Sequence, residues 1–289
     1  MTGVEQVTAP LADHGEGPVW HDGWGGLRWV DMLAGDILAL DSATGEVRRH
    51  HVGDVVAALR PRATGGAVLA LERGFALLDA AGLEAGLPLR PLGEIWPDPA
   101  VRFNDGGCDP QGRFYCGSMA SDAAPGRGAL YRLDADGSVT TVLTGVGVSN
   151  GLAWSADGTT AYYVDTATQC VDAFDYDQVA GLTARRTLVR VDDADGAPDG
   201  LTVDADGHLW VALWGGSAVR RYAPSGRLDG VVELPVSQVT ACTFGGPGLA
   251  VLYVTTSRQG IDPATQPASG ALFRADVGVG GLPVLTYGG

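Results

Sequence analysis

Cysteine is scarce in this chain of 289 residues: four in all, Cys108, Cys116, Cys170 and Cys242, and none in a CxxC pair. A disulfide framework or a thiolate zinc site is therefore not expected, and the four read as small buried apolar residues of a reducing compartment. Basic residues are few, 19 Lys and Arg against 34 Asp and Glu, for a formal net charge of −15. That balance argues against nucleic acid or an anionic membrane as a partner. No apolar run reaches the roughly 18 residues of a transmembrane helix. The start, MTGVEQVTAPLADHGEG, has neither a basic n-region nor an apolar h-region, so no signal peptide is read and a cytoplasmic protein is expected. The five histidines form no HxxxH or HExxH pattern. Neither a serine-hydrolase elbow nor a phosphate-binding glycine loop is expected. Sustained helical periodicity is missing as well.

What the chain does have is glycine, 44 residues of it, and a repeat. Asn150–Gly158 reads NGLAWSADG and Asp199–Gly207 reads DGLTVDADG. Each has a polar residue, a glycine, an apolar run and a turn, and each is followed by a second apolar run, TTAYYVDT or HLWVALW. Further copies begin at Glu16, Ala57, Asn104 and Thr240. The unit is a hairpin with a tight glycine turn. Runs such as GALYRLDADGSVTTV and GALFRADV supply a second hairpin per copy. Four strands per repeat of about 45 residues is the pattern of a propeller blade. The expectation is one domain over residues 1–289, a six-bladed β-propeller with four antiparallel strands per blade; the alternative is a β-sandwich with chance similarity.

In a propeller the first strand of each blade lines the central channel, so the leading positions form a ring at one mouth: Glu16, Ala57, Asn104, Asn150, Asp199 and Thr240. Bare carboxylates converging on an axis are costly. A divalent cation on the oxygens of Glu16, Asn150 and Asp199 would offset that cost, and positions left open would serve water or substrate. The plainer alternative is that these residues cap strands and hold water. The ends of the second strands, Asp31, Glu72, Met119, Asp165, Trp214 and Thr255, return to the same mouth; contacts that stabilise the blades are the preferred reading for them. His14 is close enough in sequence to reach the mouth. Asp192–Gly196, DDADG, reads as an acidic turn rather than an EF-hand loop, because the loop's first and closing ligands are missing. Trp20, Trp154, Trp210 and Tyr163 read as core.

EGPVW at 16–20, RFNDGGCDPQGRFYCGSM at 102–119, SNGLAWSADGTTAYYVDT at 149–166, PDGLTVDADGHLWVALWGG at 198–216 and VTACTFGG at 239–246 together resemble the SMP-30/gluconolactonase family of regucalcin-type proteins and bacterial sugar-lactone hydrolases. The resemblance runs from about residue 15 to residue 274. It implies a six-bladed propeller with one divalent metal, Ca²⁺, Zn²⁺, Mn²⁺ or Mg²⁺, at the channel mouth. By motif the family's metal-binding residues fall on Glu16, Asn150 and Asp199, and its substrate-binding residues on Arg102 and Asn104. The acidic residue that many members place after GTM has its nearest equivalent in Asp122, within GSMASDAAPGRG, a departure that bears on sugar specificity. The implied activity is hydrolysis of an aldono-lactone, with Asp199 also the candidate base; a monomer is expected because no long exposed apolar strand stands out in the sequence. Arg102 has a simpler alternative in pairing with Asp105. Two other functions stay open: an esterase or organophosphate hydrolase using the same ring, and a non-enzymatic metal-binding propeller.

Overall fold

The computed structural model describes residues 3–85 and 88–289. Among the described residues, 24 strands form six sheets of four. Five of the sheets are meanders with strands in sequence order, as in Gly15–His21, Gly26–Asp31, Asp36–Leu40 and Val47–His51, and the sixth joins the two ends of the chain. The innermost strands, labelled here β1 to β6, are Gly15–His21, Val56–Pro61, Val101–Cys108, Ser149–Trp154, Ala197–Val203 and Val239–Gly245. The expected six-bladed propeller is thus observed, with blade boundaries where the repeat put them.

Local chemistry explains the hairpins. At the turn after β4, Gly158 sits at φ 69°, and at the turn after β5, Gly207 sits at φ 83°. Both are left-handed conformations that a side chain would strain. The second strands are almost wholly buried and apolar, as in Leu209–Trp214, because they have a blade on each side. The outer strands, such as Val139–Val146, turn polar and exposed. Aromatic residues wedge the blades together: Phe75, Phe103 and Phe114 pack with Trp96 and Tyr131 between the second and third blades. Trp154, Trp210 and Tyr163 are buried as expected, whereas Trp20 is half-buried and stacks on Tyr253. All four cysteines are free and buried.

The circle closes in a way the repeat does not announce. Residues Val4–Gln6 form the outermost strand of the sixth blade, antiparallel to Phe273–Asp276, with Arg274 paired to Glu5. The two ends of the chain therefore complete one sheet. The C-terminal tail then crosses the far side of the propeller, where Tyr287 donates its hydroxyl to the Asp134 carbonyl at 2.8 Å.

Candidate active site

Every inner strand breaks register with its neighbour at its leading position: Glu16/Val19, Val56/Ala58, Phe103/Asp105, Ser149/Leu152, Pro198/Leu201 and Val239/Ala241. A bulge at the same place in six blades re-aims the residue it carries. It also explains the glycine that follows three of the polar leaders. A Cβ at Gly200 would lie 2.4 Å from that of Ala241, and one at Gly151 would lie 2.6 Å from the Leu201 nitrogen. At these two positions glycine lets adjacent inner strands close on the axis, so Asn-Gly and Asp-Gly are here not ordinary turn dipeptides; Gly17 is set instead by its φ of 50°.

The bulges bring Glu16, Asn104, Asn150 and Asp199 to the channel mouth, each no more than 5 % exposed. Asp105 joins them at 6 %, because the third blade places a carboxylate where others have glycine. Ala57 and Thr240 complete the circle, the Thr240 hydroxyl bonding the Gly15 carbonyl at 2.6 Å. Burial and mutual repulsion act on all three acids. Burial first, then the charge of Asp105, pushes Glu16 up to about 8. Burial, then Glu16 and Asp105, holds Asp199 well above the usual carboxylate range. Asp105 is raised by burial and partly relieved by Arg60, whose guanidinium is 4.0 Å away.

A hydrogen-bonded chain sets the amides. Arg102 Nη1 donates to Asn104 Oδ1 (2.7 Å), and Asn104 Nδ2 donates to the Ser149 carbonyl (2.8 Å) and to Asn150 Oδ1 (3.2 Å). Asn150 Nδ2 donates to Thr166 Oγ1 (2.9 Å), whose own proton goes to the Pro198 carbonyl (2.7 Å). Thr166 must therefore accept from Asn150, which turns the Asn150 oxygen towards the ring. Arg102 also touches Met32 Sδ at 3.2 Å. The simpler pairing of Arg102 with Asp105 is not what forms: Arg60 takes that place.

His14 lies at the same mouth, its Nε2 4.0 Å from Glu16 Oε1 and its ring edge-on to Trp214. Burial and the nearby Arg102 charge lower it to about 4, so it stands neutral. Asp31 accepts from the backbone nitrogens of Asp13 and His14 and pairs with Arg49; Asp165 accepts from those of Gly147 and Val148. These two hold the loops that lead into β1 and β4, the blade-stabilising role expected of them. Asp122 is not drawn into the ring: it is exposed and accepts from Ala124 within its own turn at 3.0 Å. The acidic turn at 192–196 is capped by Asp192, which accepts from Ala194. One run, Gly147–Gly151 (GVSNG), does spell Gly-x-Ser-x-Gly, against expectation. It is no nucleophile elbow, because Ser149 is buried within β4 and bonded to the Tyr163 hydroxyl at 2.7 Å.

Whether the ring suits a cation is decided by its donors. Asp199 Oδ1 is buried without a hydrogen-bond partner, beside the Glu16 carboxylate that raises its proton affinity. An orphaned carboxyl oxygen among other buried acids calls for a positive partner, beside which its charged form would be favoured. Among the described residues no three His, Cys, Asp or Glu side chains cluster as a metal site by themselves, so the set needs the Asn150 oxygen to be complete. Glu16, Asn150 and Asp199 together offer oxygen donors only, which fits a hard or borderline divalent cation.

Comparison with known proteins gives consistent results. Residues 14–258 match the family described as SMP-30/Gluconolactonase/LRE-like region. The chain is 39 % identical to a pentonolactonase of Haloferax volcanii over 97 % of this chain and 96 % of the other. It is 37 % identical to regucalcin of Danio rerio over 99 % and 98 %. The crystal structure of regucalcin from Agrobacterium tumefaciens, described as a calcium-binding protein, superposes with a TM-score of 0.92 at 29 % identity, covering 99 % of this chain and 97 % of that one.

Proposed function

This chain belongs to the SMP-30/gluconolactonase/LRE-like family, and on that footing we propose that it is a lactonase that hydrolyses a sugar lactone to the open acid with one divalent cation on Glu16, Asn150 and Asp199. The observation that carries the reading is the unpartnered Asp199 oxygen inside a ring of buried acids. A cation held there would polarise the lactone carbonyl and stabilise the negative charge that develops on its oxygen.

The rest of the chemistry falls to the chain. Asp199, at the inner edge of the ring, is the candidate base that accepts a proton from the attacking water. As the acyl C–O bond of the ring breaks, the departing alkoxide takes a proton and the carboxylic acid is released. Arg102 Nη1 donates to Asn104 and to the Phe103 carbonyl, and Nε and Nη2, without an acceptor among the described residues, would bind lactone oxygens. Asn104 fixes that guanidinium and, through Asn150, ties substrate binding to the cation site. Asp122, in its exposed turn, is a candidate contact to the sugar's outer hydroxyls. The reading needs one chain, since every side chain invoked is its own, and it suits a reducing cytoplasm in which the four thiols stay free.

Substrate class is tested by pH-stat rates, corrected for spontaneous hydrolysis, on D-glucono-, D-xylono- and L-arabinono-lactone against an aryl ester and an apolar lactone. The reading expects kcat/KM for at least one sugar lactone to exceed both others by about tenfold or more. A preference for the aryl ester would replace it with a general esterase.

A further inference from the structure

Among the buried polar side chains at the mouth that the reaction outlined above leaves unused, one is an imidazole. His14 is 7 % exposed, and it is held from every side. Its backbone nitrogen donates to Asp31 Oδ1 at 2.9 Å and its carbonyl accepts from Met32 at 2.9 Å. Its Nδ1 bonds Ser257 Oγ at 2.9 Å. Ser257 is itself fixed, within 3.2 Å of the Asp13 carbonyl and accepting from the Gln259 nitrogen at 3.1 Å. The Trp214 ring packs edge-on against the imidazole, 5.7 Å away at 70°. So much support for one ring is what a site needs when it must hold a nitrogen in one place.

The nitrogen so held is Nε2. His14 and Glu16 are two residues apart on an extended chain, so both point to the same side, the mouth. The 4.0 Å between Nε2 and Glu16 Oε1 is too long for a hydrogen bond and leaves room for one bridging oxygen at about 2.8 Å from each. Arg102 Nη1 lies 3.2 Å from the sulfur of Met32, whose nitrogen donates to the His14 carbonyl, so the guanidinium sits at the same mouth.

We infer that His14 Nε2 is a specificity-determining contact that hydrogen-bonds a hydroxyl of the lactone, with Ser257 as the residue that positions it. The inference rests on the lactonase reading and deepens it. An imidazole nitrogen whose partner is missing is left unsatisfied in a buried pocket, so the site rejects a lactone without the hydroxyl.

The test compares kcat/KM for a hydroxylated aldono-lactone with that for hydroxyl-free δ-valerolactone, in the wild type, His14→Phe, Ser257→Ala and Ser257→Thr. Calorimetric titration of Ca²⁺ and Mn²⁺ into each chelator-stripped protein runs alongside. His14→Phe lowers the ratio of the two rate constants by about tenfold or more, mainly through KM for the hydroxylated substrate. Ser257→Ala lowers it in the same direction, Ser257→Thr restores it, and cation affinity stays within about threefold. An unchanged ratio in both His14→Phe and Ser257→Ala overturns the inference while leaving the lactonase reading intact. A loss of cation affinity in His14→Phe also overturns it, reassigning His14 as a ligand. A wild type that opens neither lactone sinks the parent reading and this one with it.

Discussion

Asp199 is asked to be anionic in a place that resists charge. Burial and the carboxylates of Glu16 and Asp105 all favour its protonated form. Removing its charge should therefore separate stability from activity. Asp199→Asn is expected to lower turnover at least about a hundredfold, and to abolish the rise in unfolding temperature that a divalent cation gives the wild type. The same variant without cation should be no less stable than the wild type, since one of three crowded acids is gone. Thermal unfolding with and without cation, beside a pH-stat rate, checks all three. The thiols make a second prediction at this scale. Burial holds Cys108, Cys116 and Cys242 well above the ordinary thiol range, so the native protein should resist iodoacetamide at pH 8. Mass spectrometry should find those residues modified only after denaturation; rapid native alkylation would contradict their burial. The ring residues were legible in the sequence because each leads a repeat. Arg60 was not, because its copy leads with Ala57 and its partner Asp105 lies on the neighbouring blade. Contacts across blades leave no periodic trace.

At the scale of the strand, the bulge is what turns a repeated hairpin into a site. It occurs in all six inner strands, and beside it Gly151 and Gly200 are packing requirements. Gly200→Ala would drive a methyl against Ala241, whose Cβ lies 2.4 Å from the new position. The expected cost is about 1–3 kcal/mol in denaturant unfolding, with weakened cation binding because Asp199 moves with its neighbour. A neutral effect would mean that the inner strands are not packed as described. The hairpins themselves could be read from alternating apolar runs and turn glycines. The bulges could not, since a register shift depends on the partner strand. The same limit applies to Asp122: its motif neighbourhood points to the substrate, but the sequence does not show that its side chain also accepts from Ala124 within its own turn.

For the whole molecule, closure is the feature the repeat left hidden. Six copies account for six blades, but the last sheet takes its outer strand from Val4–Gln6, before the first copy begins. A chain of three ordinary residues carries no periodic signal, and only the circular geometry gives it a place. Deleting residues 1–6 should bare the edge of Phe273–Asp276 and lower stability by at least about 2 kcal/mol, read as a shift of several degrees in unfolding temperature. An unchanged midpoint would show that the ring holds without that strand.

Under the proposed function, a closed propeller would present bulged oxygen donors to a cation, and that assembly would open a lactone ring. The most direct measurement is kcat/KM for a sugar lactone by proton release, on chelator-stripped protein and after single additions of Ca²⁺, Mn²⁺, Mg²⁺ or Zn²⁺. Background rates are expected without cation, restored turnover with at least one, and no restoration in Asp199→Asn. Full turnover in the stripped protein, or none with any cation despite measured binding, would contradict the proposed function.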